Sequence, residues 1–115
     1  MDFKSWVKKQ MKKPISDEVI AFNFNLYENS DDGYDVQIVG CPTYDSDDPD
    51  WACRAIFSSE EDLFHFLSED WESALTDFQA VLEDYLDSNT DKNALTACKY
   101  ISFGFVDGDL IAVRE

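Results

Sequence analysis

Residues 18–28, EVIAFNFNLYE, alternate without a break: Ile20, Phe22, Phe24 and Leu26 take the even positions, Ala21, Asn23 and Asn25 the odd ones. Successive side chains of an extended chain point to opposite sides, so a period of two puts bulky apolar groups on one face and small or polar groups on the other. That is the pattern of a half-buried strand. A chain containing such a strand must lay apolar material over one side of a sheet. YDVQIVG, residues 34–40, repeats the pattern with Tyr34, Val36 and Ile38 against Asp35 and Gln37, and the turn-rich NSDDG between the two predicts a hairpin.

The covering material is legible in two amphipathic segments. In DFKSWVKKQMKK, Phe3, Trp6, Val7 and Met11 share one helical face and the lysines mostly lie elsewhere, with Asp2 placed to cap the helix and Pro14 to close it. In WESALTDFQAVLEDYLDS, Trp71, Ala74, Leu75, Phe78, Val81, Leu82 and Tyr85 recur at spacings of three and four, which predicts the principal core helix. Ser58 and Ser59 ahead of Glu60, Glu61 and Asp62 read as a further helix start, which places His65 on a helix. TDKNALTACKY is expected to add one or two helical turns. WACRAIF is strand-like, and ISFGFVDGDLIAVRE holds two strand-like runs joined at Asp107-Gly108, a dipeptide suited to a two-residue type I′ turn. The expected architecture is α+β: an antiparallel sheet of about five strands (19–27, 34–40, 51–57, 100–106 and 109–114) with helices packed on one face, closing in a C-terminal β-hairpin.

A chain of 115 residues is expected to form one domain, 1–115, because two cores drawn from it would each be too small. No run of about 18 apolar residues exists to span a bilayer. MDFKSWVKKQMKK lacks the features of a secretory leader, so a cytoplasmic location is expected. Cys41, Cys53 and Cys98 are widely spaced and odd in number, which argues for reduced thiols over a disulfide framework or a zinc site.

Charge is unevenly distributed. The formal net charge is −16, yet five lysines fall in the first thirteen residues, which leaves 24 acidic against 4 basic residues, a net −20, over residues 14–115. The expected picture is a basic amphipathic helix, residues 1–13, packed on an acidic body. A field of that sign draws in cationic partners and disfavours direct binding to nucleic acid or an anionic membrane.

The acidic density peaks in YDSDDPDW, residues 44–51. Numbered from Asp45 as an EF-hand loop, it has Asp47 at position 3 but Pro49 at 5, Asp50 at 6 and Ile56 at 12, where the calcium loop needs an oxygen ligand, a glycine and a bidentate glutamate. No metal and no cofactor are therefore expected. His65, the sole histidine, has no nucleophile or ligand partner at motif spacing, and the four glycines form no phosphate-cradling loop, so no catalytic residue is nominated. What remains is binding, with Asp45, Asp47, Asp48, Asp50 and Trp51 as the candidate partner surface. Carboxylates there would meet Arg or Lys, and the indole would either anchor the partner or turn inward to anchor the following strand.

FNFNLYE, YDVQIVGCPTYDSDDPDWACRAIFSS and FGFVDGDLIAV together resemble a group of small bacterial proteins with an Asn-Leu-Tyr-Glu strand, an acidic loop ending in Trp-Ala-Cys and a closing Gly-Phe-Val-Asp-Gly-Asp-Leu hairpin. Such proteins are similar to the α+β immunity proteins of bacterial polymorphic toxin systems. The matching segments cover about residues 22–58 and 103–113, and the acidic stretch falls on Asp47, Asp48, Asp50, Trp51, Ala52 and Cys53, with Arg54 standing where relatives carry an acidic residue. The resemblance implies an antitoxin without catalytic residues that binds a cognate toxin domain, expected to be basic, with nucleases among the candidates. Two other readings stand beside it: an acidic nucleic-acid mimic or adaptor for another basic cytoplasmic protein, and an enzyme using carboxylates. Oligomeric state is not legible in the sequence.

Overall fold

A computed structural model describes residues 2–29, 33–88 and 91–115. The two alternating segments form β1 (Ala21–Glu28) and β2 (Gly33–Cys41), paired antiparallel with Phe24 opposite Ile38 and Leu26 opposite Val36. This register brings the two patterns into phase, so Phe22, Phe24, Leu26, Val36 and Ile38 share one face and none is more than 1% exposed. Of the connecting NSDDG, residues 30–32 lie outside the described residues.

The far edge of β2 is shared by two short antiparallel strands, β3 (Phe57–Ser58) and β4 (Phe64–Leu67). Between them the chain leaves the ladder, and Ser59 takes over the pairing: its amide donates to the Ile38 carbonyl at 3.0 Å, while its hydroxyl accepts from the Ile38 amide at 3.2 Å. On the other side β1 pairs with β5 (Tyr100–Phe105) in parallel, and β6 (Ile111–Arg114) returns antiparallel to β5. The order is β3-β2-β1-β5-β6, with β4 also on β2.

The fold is thus α+β, but its sheet is mixed and six-stranded where an antiparallel sheet of about five was expected. Alternation in residues 100–106 marks a strand without fixing the direction of its neighbour. A parallel join requires a long excursion, and the chain between β1 and β5 supplies one.

Three local expectations are also corrected. The proposed strand 51–57 starts inside a 3₁₀ turn, Pro49–Cys53, and only Phe57 of it is in a strand, the two-residue β3. The acidic run 58–62 starts no helix: Phe64 and Phe66 alternate with His65 and Leu67 in β4. The long helix α2 (Trp71–Ser88) begins later, where Asp70 accepts from the Ser73 amide at 2.8 Å. The β5–β6 loop runs over residues 106–110, and Gly108 has no positive φ, so it is not a two-residue type I′ turn. The glycine this loop needs is Gly104, where a Cβ would sit 2.4 Å from the Asp109 carbonyl oxygen.

One cluster gathers Phe22, Phe24 and Leu26 of β1 with Phe3, Trp6 and Val7 of α1 (Phe3–Met11), Phe78 and Leu82 of α2, and Leu95 of the short α3 (Ala94–Ala97). Phe3 is its hub, with ring centroids 5.8 Å from Phe24, 5.5 Å from Phe78 and 5.9 Å from Tyr85. Asp2 caps α1 by accepting from the Ser5 amide at 2.8 Å. Asp62 fastens the same helix to the 59–63 segment: its carboxylate takes Lys9 at 2.9 Å and Gln10 Nε2 at 2.7 Å, and its carbonyl accepts from Trp6 Nε1 at 3.0 Å. The lysine-rich segment is therefore tied down by its aromatics in the core and by Lys9 and Gln10 on Asp62.

Candidate functional site

The odd-numbered face of β1 meets different chemistry. Ala21 lies beside Cys41 on β2 and Tyr100 on β5, and these small or flat groups leave room for the 42–53 loop to fold over the sheet. Trp51 joins Ala21, Val39 and Cys41 in a second buried cluster, with Tyr44, Tyr100 and Leu110 packed against it. Tyr44 stacks on Tyr100 at 4.2 Å with an interplanar angle of 12°, and its ring lies 5.1 Å from Trp51. At 5% exposure the indole takes the inward of the two orientations open to it, clamping the loop to the sheet.

The aspartates of this loop shape it as well as charge it. Asp45 Oδ1 accepts from the Asp47 amide at 2.9 Å, and Asp48 Oδ1 accepts from the Asp50 amide at 3.0 Å, giving two successive Asx turns. The second turn opens the 3₁₀ segment, where Pro49 follows the Asp48 cap. Asp45, Asp47, Asp48 and Asp50 all stay exposed. Among the described residues no ion pair engages any of them, and no group of three or more His, Cys, Asp or Glu side chains converges as metal ligands would.

Between this loop and the β5–β6 hairpin lies a cleft of about 330 Å³, walled by Tyr44, Asp45 and Trp51 on one side and by Asp109, Leu110 and Glu115 on the other. Asp45 and Trp51 are thereby brought together, whereas Asp47, Asp48 and Asp50 lie outside the lining. Among the described residues no Lys or Arg lines the cleft. The Tyr44 hydroxyl donates to Glu115 Oε2 at 2.6 Å, and this bond, helped by burial, pushes the phenol up to about 12. At neutral pH Tyr44 is therefore a fixed donor, and the cleft presents acceptors and aromatic faces, the features that hold a guanidinium or ammonium group.

Sequence reasoning missed Tyr44, Asp109 and Glu115. Tyr44 was visible as the aromatic opening the acidic loop, but its stacking on Tyr100 depends on β5 running parallel beside β1. Also missed was a polar ladder along the same face: Ser102 Oγ donates to Asn23 Oδ1 at 2.7 Å, Asn23 Nδ2 to Asn25 Oδ1 at 2.7 Å, Asn25 Nδ2 to Gln37 Oε1 at 3.3 Å, and Tyr27 Oη to the same Gln37 oxygen at 3.2 Å. The signal lay in Asn23, Asn25 and Gln37, amides at odd positions of β1 and β2. Further along, His65 Nδ1 sits 2.9 Å from Asp35 Oδ1 and 3.0 Å from Asn29 Nδ2. This is an oriented imidazole on an open strand, with no hydroxyl or thiol among its hydrogen-bond partners within the described residues. Of the thiols, Cys41 is buried under the loop, which pushes it up to about 11, and Cys53 is exposed.

No protein-family model, curated protein or solved structure matches the chain. Among the described residues no helix is long and apolar enough to cross a membrane.

Proposed function

We propose that this protein is a non-catalytic immunity protein that binds and neutralises a cationic toxin domain. The carrying observation is the acidic, aromatic-walled cleft beside the aspartate loop, with Asp45, Asp109 and Glu115 on its walls and no Lys or Arg among the described residues lining it. A basic side chain of the partner enters this cleft, while Asp47, Asp48 and Asp50 on the adjoining turn meet further Arg or Lys groups at the rim. Trp51 acts from beneath, holding the loop in shape. This arrangement favours rapid, charge-steered association, since complementary fields raise encounter rates and a rigid loop loses little entropy on docking. The immunity role comes from the resemblance in the sequence; the sign of the partner comes from the charge.

The test is to look for a basic toxin domain encoded beside this gene and to measure rescue and binding with it. Wild-type protein should restore growth of cells expressing that domain. In isolation it should associate with a rate that falls steeply with salt. Asp45→Asn, Asp109→Asn and Glu115→Gln together should slow association and flatten the salt dependence, and Asp47→Asn with Asp50→Asn should do so to a lesser extent. Asparagine can still accept the Asx-turn hydrogen bond, so Asp45→Asn removes charge while leaving the turn. If the fully neutralised cleft binds with unchanged kinetics at low salt, the cleft is not the interface. If no adjacent basic domain is neutralised at all, the immunity reading falls.

A further inference from the structure

On the other side of the β5–β6 loop the molecule carries a second, larger concavity of about 710 Å³. Its floor is apolar: Leu26 at the end of β1, Leu75 of α2, Phe105 and Ile111 at the facing ends of the C-terminal hairpin. Two side chains on its wall are apolar and unusually open for their size, Trp71 at 53% exposed and Val106 at 54%. Its charged lining is of one sign, Glu28, Asp107 and Asp109. Asp109 belongs to both concavities, so one loop divides the acidic cleft from the apolar groove.

An open tryptophan beside an apolar floor is costly to leave in water, and rims of polar groups around such surface mark docking sites. The rim here selects the occupant by charge. A neutral apolar segment would gain nothing from three carboxylates and would desolvate them at a cost, an acidic one would be repelled, and a basic one gains at each. We propose that the groove formed by Trp71, Leu75 and the 105–111 hairpin docks an aliphatic or aromatic side chain of a basic polypeptide segment, with flanking Arg or Lys groups on Glu28, Asp107 and Asp109. The proposal deepens the reading of the cleft and rests on it for the sign of the partner's charge. The β5–β6 loop then lies between two pockets of one interface, one taking a cation and the other an apolar anchor.

Trp71 is a built-in reporter, because Trp6 and Trp51, the other two indoles, are 1% and 5% exposed. The probes are three blocked pentapeptides: Arg-Phe-Arg-Leu-Arg, its uncharged analogue Gln-Phe-Gln-Leu-Gln, and its side-chain-poor analogue Arg-Gly-Arg-Gly-Arg. Amide and indole NMR shifts are followed during titration of the full chain, together with tryptophan emission. The first peptide should shift the Trp71 indole and residues 105–111 saturably and move emission to the blue. Trp71→Ala and Val106→Ser, both surface changes, should weaken it about tenfold, as loss of an aromatic anchor does. The other two peptides should bind at least that much more weakly. Equal binding of the glycine peptide would show that charge alone is read, and equal binding of the glutamine peptide would show that charge is not; either result overturns the proposal. Shifts confined to Tyr44, Asp45 and Glu115 would remove the groove while leaving the cleft reading intact, whereas silence of both regions to every arginine peptide would remove both.

Discussion

Trp51→Ala tests whether the acidic loop is held from beneath. A tryptophan buries roughly 150–250 Å², and at about 25 cal/mol per Å² that is worth about 4–6 kcal/mol against a fully solvated reference. A denatured chain that is already partly collapsed trims the figure by about 10–40%. Two features of the site reduce it further: alanine keeps the Cβ, and Tyr44 remains stacked on Tyr100 at 4.2 Å, so the loop can settle partway into the vacated space. The expected loss is about 3 kcal/mol, at the lower end of the range for deleting a buried tryptophan, and about 10 °C in Tm for a domain of this size. Urea denaturation followed by circular dichroism measures it. A second readout separates clamp from contact: Cys41 shares the Trp51 cluster and is fully buried, whereas Cys53 is exposed. In wild type, alkylation mapped by mass spectrometry should label Cys53 and spare Cys41; in Trp51→Ala, Cys41 should become reactive under native conditions. If stability changes by less than about 1 kcal/mol and Cys41 stays protected while partner binding is lost, the indole serves the partner and the clamp argument is wrong.

Gly104→Ala should cost about 1–3 kcal/mol, because the new methyl meets the Asp109 backbone oxygen at 2.4 Å and the whole loop must shift. Gly108→Ala, whose Cβ meets nothing nearer than 3.7 Å, should stay within about 0.5 kcal/mol; a reversal of that order in thermal denaturation would restore the tight-turn reading. Tyr44 has its phenol raised, so its contribution is whole below the ordinary tyrosine range and is lost as pH climbs toward about 12. Accordingly Tyr44→Phe should remove one late-titrating tyrosinate from the ultraviolet titration, leaving Tyr85, which burial also raises. Asp62 is held below its ordinary 3.8 by Lys9 and Gln10, so its contribution is present above that value and disappears as pH falls through the lowered one. Urea midpoints measured at successively lower pH should therefore fall less steeply for Asp62→Asn than for wild type, with part of the slope remaining because Asp2 and Asp70 are lowered as well.

The elements best legible in the sequence were those whose signal is complete within one segment. β1 and β2 carried their alternation, α1 its cap and stripe, and α2 a stripe from which Trp71 and Val81 depart, since both stay exposed. β4 was misread because two local rules collided: hydroxyls followed by carboxylates suggested a helix start, while Phe64, His65, Phe66 and Leu67 alternated too briefly to outweigh it. The hydroxyl of Ser59 caps no helix and serves the β2 edge instead. At the site the four aspartates were evident from composition. Their partners across the cleft were not, since Asp109 and Glu115 reach it only through the order β2-β1-β5-β6.

That order also explains how so acidic a domain can concentrate its charge without unfolding around it. Like charges repel least when they project from a surface into water, and most when burial strips them of it. The sheet gives one face to the aromatic core and, on the other, uses flat rings and small residues to seat a loop whose carboxylates point outward. Each Asx turn then spends a carboxylate oxygen on a backbone amide, which fixes the loop without a countercharge. A loop held by its own aspartates keeps those charges available and already ordered, so a cationic partner supplies the missing charge and finds little left to organise. Stability and binding are thereby coupled with a definite sign. Neutralising the loop as asparagine should relieve repulsion in the free protein and weaken association, whereas occupation by a basic partner should raise the melting temperature by more than salt screening alone achieves.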